Sequence, residues 1–239
     1  MDDSIFAVQR MRRHGTNFAA LVASLYFVAC SAAALGAEKQ FTPVFNGKNL
    51  DGWVVDGKNQ KDDTWTVADG IIRCAGGGFG YLRYDKKLCD FTVRLQYRMS
   101  KGCNSGIGIR GVVFTGPGKT RPSFASYEIQ ILDDAGKPTN THSSMSLYRY
   151  VAPTENAVKP AGEWNQVEIT CVGPRIKIAL NGKTVQDIDQ TTVKSIKDKP
   201  LCGYFMVQNH GKPIEFRQVE LLEREPAAKS AEKDENTRG

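Results

Sequence analysis

Between residues 41 and 224, apolar and polar residues alternate one for one along a series of short runs. Phe91-Thr-Val-Arg-Leu-Gln-Tyr-Arg-Met99 is one such run; Ser126–Leu132, Trp164–Val172 and Arg175–Leu180 repeat the pattern. A period of two puts successive side chains on opposite faces, so each run predicts an antiparallel strand with one buried face. Turn-forming residues punctuate the runs at Asp69-Gly70, Gly173-Pro174, Asn181-Gly182 and Gly211-Lys212-Pro213. Asn181-Gly182 lies between apolar strand ends and predicts a two-residue hairpin turn. No stretch has a helical period of useful length, and residues 192–197 allow a short helical turn at most. Many short strands with regular turns predict an all-β sandwich or barrel. It forms one domain, residues 38–224, with no internal repeat. Residues 225–239 are rich in Ala, Lys, Glu and Asp without apolar periodicity, and are expected to be a disordered tail.

The N-terminus departs from this pattern. Arg10, Arg12, Arg13 and His14 precede an apolar run from Phe18 to Ala29, and small residues follow to Ala37. That order is the one found in secretory signals, so residues 1–37 are expected to be a signal peptide, with Met11 an alternative start. The competing reading is a membrane anchor, which the Ala, Ser and Gly of the second half make only weakly apolar. Phe27-Val28-Ala29-Cys30 resembles a bacterial lipobox, so membrane attachment is expected only if Cys30 is lipidated. The expected location is periplasmic or extracellular.

Composition narrows the function classes. Hydrophobic residues make up 41% and charged residues 24%, enough apolar material for a sizeable core that needs no disulfides. The net charge of +6 is spread out, and aromatic residues are not interleaved with Arg and Lys, so no nucleic-acid partner is expected. Without Cys30, five cysteines remain, an odd number, with no C-x-x-C pair and no His at zinc-finger spacing. Buried free thiols are favoured over a disulfide framework, with a single bridge left open. Trp53, Trp65 and Trp164 are expected to be core anchors, one of them alternatively a sugar platform. Gly76-Gly77-Gly78 lacks the Lys-Ser/Thr ending and the helix of a phosphate loop and reads as a bend.

Several segments taken in order resemble one family. They include Phe45-Asn-Gly-Lys-Asn-Leu-Asp-Gly-Trp53, Asn104-Ser-Gly-Ile107, Tyr127-Glu-Ile-Gln-Ile-Leu-Asp133, Leu147-Tyr148 with Ala152-Pro153, Lys159-Pro160-x-Gly-Glu-Trp-Asn165, and Gln208-Asn-His-Gly211. Together they resemble the 3-keto-disaccharide hydrolases, also described as 3-keto-glucoside lyases and 3-keto-glucal hydratases, over residues 41–222. The resemblance implies a concanavalin A-like jelly-roll β-sandwich, an exported protein and a 3-keto glycoside or oligosaccharide as substrate. Ser144-Met145-Ser146 stands where the family often has Thr-Gly-Ala, so Met145 and Arg149 are expected to reshape one wall of the site.

The alternation supplies candidate residues. Glu128 and Gln130 share a face opposite Tyr127, Ile129 and Ile131. Gly106, Gly108 and Arg110 are expected to share another, with the two glycines clearing space. Tyr204, Met206, Gln208 and His210 share a third. A 3-keto group acidifies the C2 proton; a base removes it, the C1 substituent leaves, and water adds to the enone. Glu128 or His210 is the expected base, Arg110 the enolate clamp, and the remaining ionisable group the acid. Asn104, Gln130, Gln208, Tyr148, Lys159 and His142 complete the expected substrate contacts. Each also has a plainer reading: Glu128 as a solvated charge, His210 as a turn residue, Arg110 as a surface ion-pair partner. Asp133-Asp134 offers oxygen ligands for a divalent ion such as Ca2+, but without EF-hand spacing, and the metal question stays open. A Glu-x-Asp-x-Glu pair, as in retaining glycosidases, is absent. The alternative function is a non-catalytic carbohydrate-binding module, which needs no proton carrier.

Overall fold

The structure, a computed structural model, describes residues 40–224 except 58, 59, 62 and 117. The expected signal peptide (1–37) and tail (225–239) lie outside the described residues. The first strands are β1 (Thr42–Pro43), β2 (Trp53–Asp56), β3 (Trp65–Ala68), β4 (Ile71–Cys74), β5 (Phe79–Leu88), β6 (Phe91–Met99) and β7 (Asn104–Gly111). A four-residue helix, α1 (Pro122–Ala125), precedes β8 (Tyr127–Leu132). The chain continues through β9 (Asn165–Val172), β10 (Arg175–Leu180), β11 (Lys183–Asp189), β12 (Gly203–His210) and β13 (Ile214–Glu223). A single 3-10 turn, Gln190–Thr192, follows β11.

These strands form two antiparallel sheets. The larger runs β11-β10-β9-β6-β13-β4-β3, with β1 paired to β13; the smaller runs β2-β5-β12-β7-β8. The fold is an all-β, concanavalin-like sandwich. Its core lies between the sheets because the long strands turn most of their apolar residues inward. Phe91, Val93, Leu95 and Tyr97 of β6 are buried, as are Ile129 and Ile131 of β8 and Phe205 and Val207 of β12. Burying one such side chain contributes about 1.5–3 kcal/mol, so the repeated alternation is the main source of stability. At the expected β10–β11 hairpin, Asn181 (φ 51°) and Gly182 (φ 84°) are both left-handed, the geometry that matches strand twist in a two-residue turn.

The single bridge that the sequence left open is present, and one other expectation is corrected. Cys89 and Cys202 form a disulfide, with Cα atoms 4.0 Å apart at a sequence separation of 113. Chain topology brings them together: Cys89 lies in the β5–β6 crossover and Cys202 just before β12. Cys74, Cys103 and Cys171 are the buried free thiols that were expected, and burial pushes the Cys74 thiol up to about 11. Trp53 and Trp65 are core residues, but Trp164 is not. It is partly exposed on the outer face of the larger sheet, with the guanidinium of Arg217 4.0 Å and that of Arg98 4.8 Å from its ring centroid.

Candidate active site

The outer face of the smaller sheet carries the polar residues that alternation turns away from the core. Glu128 and Gln130 project there from β8, and Gln208 and His210 from β12. Between these strands, β7 contributes glycines. A Cβ on Gly106 would lie 3.0 Å from the Glu128 Cγ, and one on Gly108 only 2.6 Å from the Met206 Cγ. Glycine is therefore what lets Glu128 and Met206 lie across β7. Phe79, Tyr81 and Phe114 pack edge to face beside them, with Tyr81 and Phe114 centroids 5.0 Å apart. Asp56 anchors that cover: its carboxylate accepts from Arg83 Nε at 2.8 Å and from the Phe114 amide at 3.2 Å.

Two segments outside the strands close the cleft. Arg121 and Ser123 come from the turn around α1, and Tyr148 and Arg149 from the segment after β8. That segment is held against the edge of β8, where the Tyr148 amide donates to the Glu128 carbonyl at 2.8 Å and the Met145 amide to the Gln130 carbonyl at 2.7 Å. The resulting cleft is narrow, about 40 Å³.

Glu128 is the one carboxylate lining it. Gln208 Nε2 donates to Glu128 Oε1 at 3.1 Å and to the buried Tyr81 hydroxyl at 3.0 Å, which fixes the amide's orientation. Burial holds the Glu128 carboxyl above its ordinary range, opposed by hydrogen bonds from Gln208 and Ser123 and by the charges of Arg121 and Arg149. His210 is held below its ordinary value, by burial first and then by Arg121, so its imidazole is neutral near pH 7. Three polar atoms around the cleft are buried without partners: Gln130 Oε1, Gln208 Oε1 and Arg121 Nε. Unsatisfied groups converging on one cavity are costly to the fold and suit a polar ligand.

Most of the expected residues meet here: Glu128, His210, Asn104, Gln130, Gln208 and Tyr148 all line the cleft. Arg110 does not. Opposite it, β12 pairs Met206 with Gly108 and Tyr204 with Gly111, so two residues of β7, Ile109 and Arg110, stand against one of β12, Phe205. This bulge puts Arg110 at φ 53° and reverses the alternation, turning its side chain inward. The fully buried guanidinium donates to the Gly173 carbonyl at 2.7 Å and the Cys89 carbonyl at 3.3 Å, near Asp90 at 3.9 Å. Lys159 is also misplaced: it lies on the larger sheet's outer side, its Nζ donating to the Trp164 carbonyl at 3.3 Å. His142 stays on an exposed turn behind the cleft, its ring 5.0 Å from that of Tyr148. Met145 is buried in the core rather than forming a wall, whereas Arg149 does reach the cleft.

Asp133 and Asp134 brace loops instead of converging: Asp133 accepts from the Gly102 amide at 2.8 Å and Asp134 from the Ser144 amide at 2.9 Å. Among the described residues no group of three or more His, Cys, Asp or Glu side chains could hold a metal. Sequence reasoning missed Arg121, Ser123 and Phe79. Phe79 shares a strand face with Tyr81 two positions on, so the alternation contained it; Arg121 and Ser123 lie outside any periodic run.

Known proteins share this arrangement of chain. The family described as the 3-keto-alpha-glucoside-1,2-lyase-like domain matches residues 40–222. A 3-keto-disaccharide hydrolase of Bacteroides thetaiotaomicron is 26% identical over 224 residues, 76% of this chain and 77% of that protein. The crystal structure of a proposed glycosyl hydrolase of Parabacteroides distasonis superposes with a TM-score of 0.64 at 25% identity, covering 77% of this chain and 100% of that one. The lumenal domain of VIP36, solved with calcium and a mannose-containing glycan, shares only the fold, with a TM-score of 0.55 at 9% identity over 82% of this chain and 94% of that one. With the match spanning the whole described sandwich, the chain belongs to the 3-keto-alpha-glucoside-1,2-lyase-like domain family.

Proposed function

We propose that the protein is an exported enzyme that cleaves 3-keto glycosides by elimination at C1 and hydration of the resulting enone. The observation that carries this reading is the single buried carboxylate, Glu128, in a cleft with two guanidiniums and no second acid. Direct glycoside hydrolysis ordinarily uses two carboxylates flanking the bond, one as acid and one as base or nucleophile. One base facing cations suits proton abstraction next to a ketone instead.

In this scheme the Glu128 carboxylate takes the C2 proton. The electron pair moves onto the C3 ketone oxygen, and the enolate is stabilised by Arg121. As the enolate collapses, the C1–O bond breaks and the leaving oxygen takes the proton from the now neutral Glu128. Water then adds at C1 and gives a proton to the neutral imidazole of His210. The proton returns through solvent to C2, and the sum is hydrolysis. Asn104, Gln130 and the free carbonyl oxygen of the Gln208 amide hold hydroxyls.

The Cys89–Cys202 disulfide supports the export part of the reading, because such bridges persist in oxidising compartments. Mature protein is then expected to begin near Glu38; an acyl chain on Cys30 would indicate a lipid-anchored form. The catalytic test is C2-proton exchange from a 3-keto glucoside in deuterated water. The parent protein should exchange the proton and Glu128→Gln should not. Equal exchange in both moves the base to His210, whereas sugar binding without exchange or release favours a carbohydrate-binding module.

A further inference from the structure

Every described arginine except Arg121 and Arg149 donates a side-chain hydrogen bond to a carboxylate, amide, hydroxyl or carbonyl oxygen. Those two have neither a hydrogen-bonded acceptor nor an ion pair among the described residues. They are nonetheless held in place. The Arg121 guanidinium sits 4.2 Å from the Phe79 ring centroid, and that of Arg149 sits 4.3 Å from Phe124 and 5.3 Å from Tyr148. Stacking fixes the plane of a guanidinium and leaves its N–H edge open, the edge that forks onto the two oxygens of a carboxylate. Arg149 also has φ 77°, a left-handed conformation that long side chains seldom adopt and that persists where surrounding structure or function holds it.

The proposed reaction leaves one of these cations unused. Before proton transfer the cleft holds Arg121, Arg149 and ionised Glu128, with His210 neutral. Transfer neutralises Glu128 and creates one negative charge on the ketone oxygen, so the net charge is unchanged. One guanidinium serves the enolate, and the other stays without a counter-charge at every stage. We infer that Arg149 is a specificity residue at the cleft mouth that binds a carboxylate on the substrate, making the preferred ligand a 3-keto glycoside that carries a uronic acid residue. The inference rests on the proposed function for its 3-keto group but not for its preference between acidic and neutral sugars.

Binding tests it without requiring turnover. Methyl glucuronide and methyl glucoside, each with and without the 3-keto group, are titrated into the full-length protein and into Arg149→Gly. Glycine removes the guanidinium and suits the left-handed backbone, so this variant is expected to fold. The parent should bind the glucuronide roughly tenfold more tightly than the glucoside, in line with one charge-assisted fork at a half-open site. The preference should fall away in Arg149→Gly and shrink as salt is raised. Equal affinity for both sugars, binding of neither, or a preference that survives in Arg149→Gly would overturn the inference. A glucuronide preference without turnover of either 3-keto compound would uphold it and reject the catalytic reading. Turnover of the neutral 3-keto glucoside with no acidic preference would do the reverse.

Discussion

The two outer faces of the sandwich use the same residue types differently. On the larger sheet, Arg94 faces Glu220 and Arg98 faces Glu215 directly across β6 and β13, and both pairs are hydrogen-bonded. A hollow of about 510 Å³ lies on that face, yet its charged lining, Arg94 and Glu220, is already mutually satisfied. On the smaller sheet, the narrow cleft holds a buried carboxylate, two guanidiniums without hydrogen-bonded acceptors, and amide oxygens with no partner. Hollow size is therefore not what sets the candidate site apart. What distinguishes the cleft is polar capacity that the fold leaves unspent, kept in place by aromatic stacking and by the Tyr81–Gln208–Glu128 chain. Paired charges on an exposed sheet face contribute little energy and offer a ligand little.

The largest expected effect that tests this contrast is Glu128→Gln, which should lower turnover roughly 10²–10⁴-fold by removing the base. Its melting temperature should hold or rise. Burial disfavours the ionised form of Glu128, so its folded pKa lies above the unfolded one. The associated stability is present at low pH and is lost as pH rises through the folded value, and the amide removes that loss. A Glu128→Gln protein that is both inactive and much less stable would make the cleft face structural after all.

Next in size is Arg110→Ala. It strips hydrogen bonds from two carbonyls and empties a fully buried position, so urea unfolding should show a loss of about 3 kcal/mol. Turnover by the folded fraction should be unchanged. Lost turnover with intact stability would return Arg110 to the chemistry.

The pH profile should show a smaller, graded effect. The proposed reaction requires ionised Glu128, so kcat/KM should fall on the acid side with a midpoint above the ordinary carboxylate value of 4.5. A midpoint at or below that value would mean that the base is a solvated carboxylate elsewhere. The smallest effect is expected for Arg98→Ala on the opposite face: a stability change within about 1 kcal/mol and no change in turnover. A marked loss of turnover there would erase the distinction between the faces.

Where strands run without interruption, the site was legible from the chain alone. Period two assigned Glu128 and Gln130 to one face of β8, and Gln208 and His210 to one face of β12, because a strand's pleat leaves no other arrangement. The family resemblance pointed to the same residues. The same logic failed at Arg110, where one extra residue in a bulge reversed the side-chain direction. A bulge is set by pairing with β12, and nothing in residues 104–111 read alone announces it.

The amino-acid order thus determined the all-β class, the inward and outward sets of β6, β8 and β12, and the Asn181-Gly182 hairpin, all of which follow from local backbone geometry. Tertiary structure alone decided the rest. It paired Cys89 with Cys202, moved Lys159 to the far face, and brought Arg121 from an irregular segment into the cleft with Glu128. Those placements depend on contacts between residues distant in sequence, and irregular segments have no period from which their facing can be read.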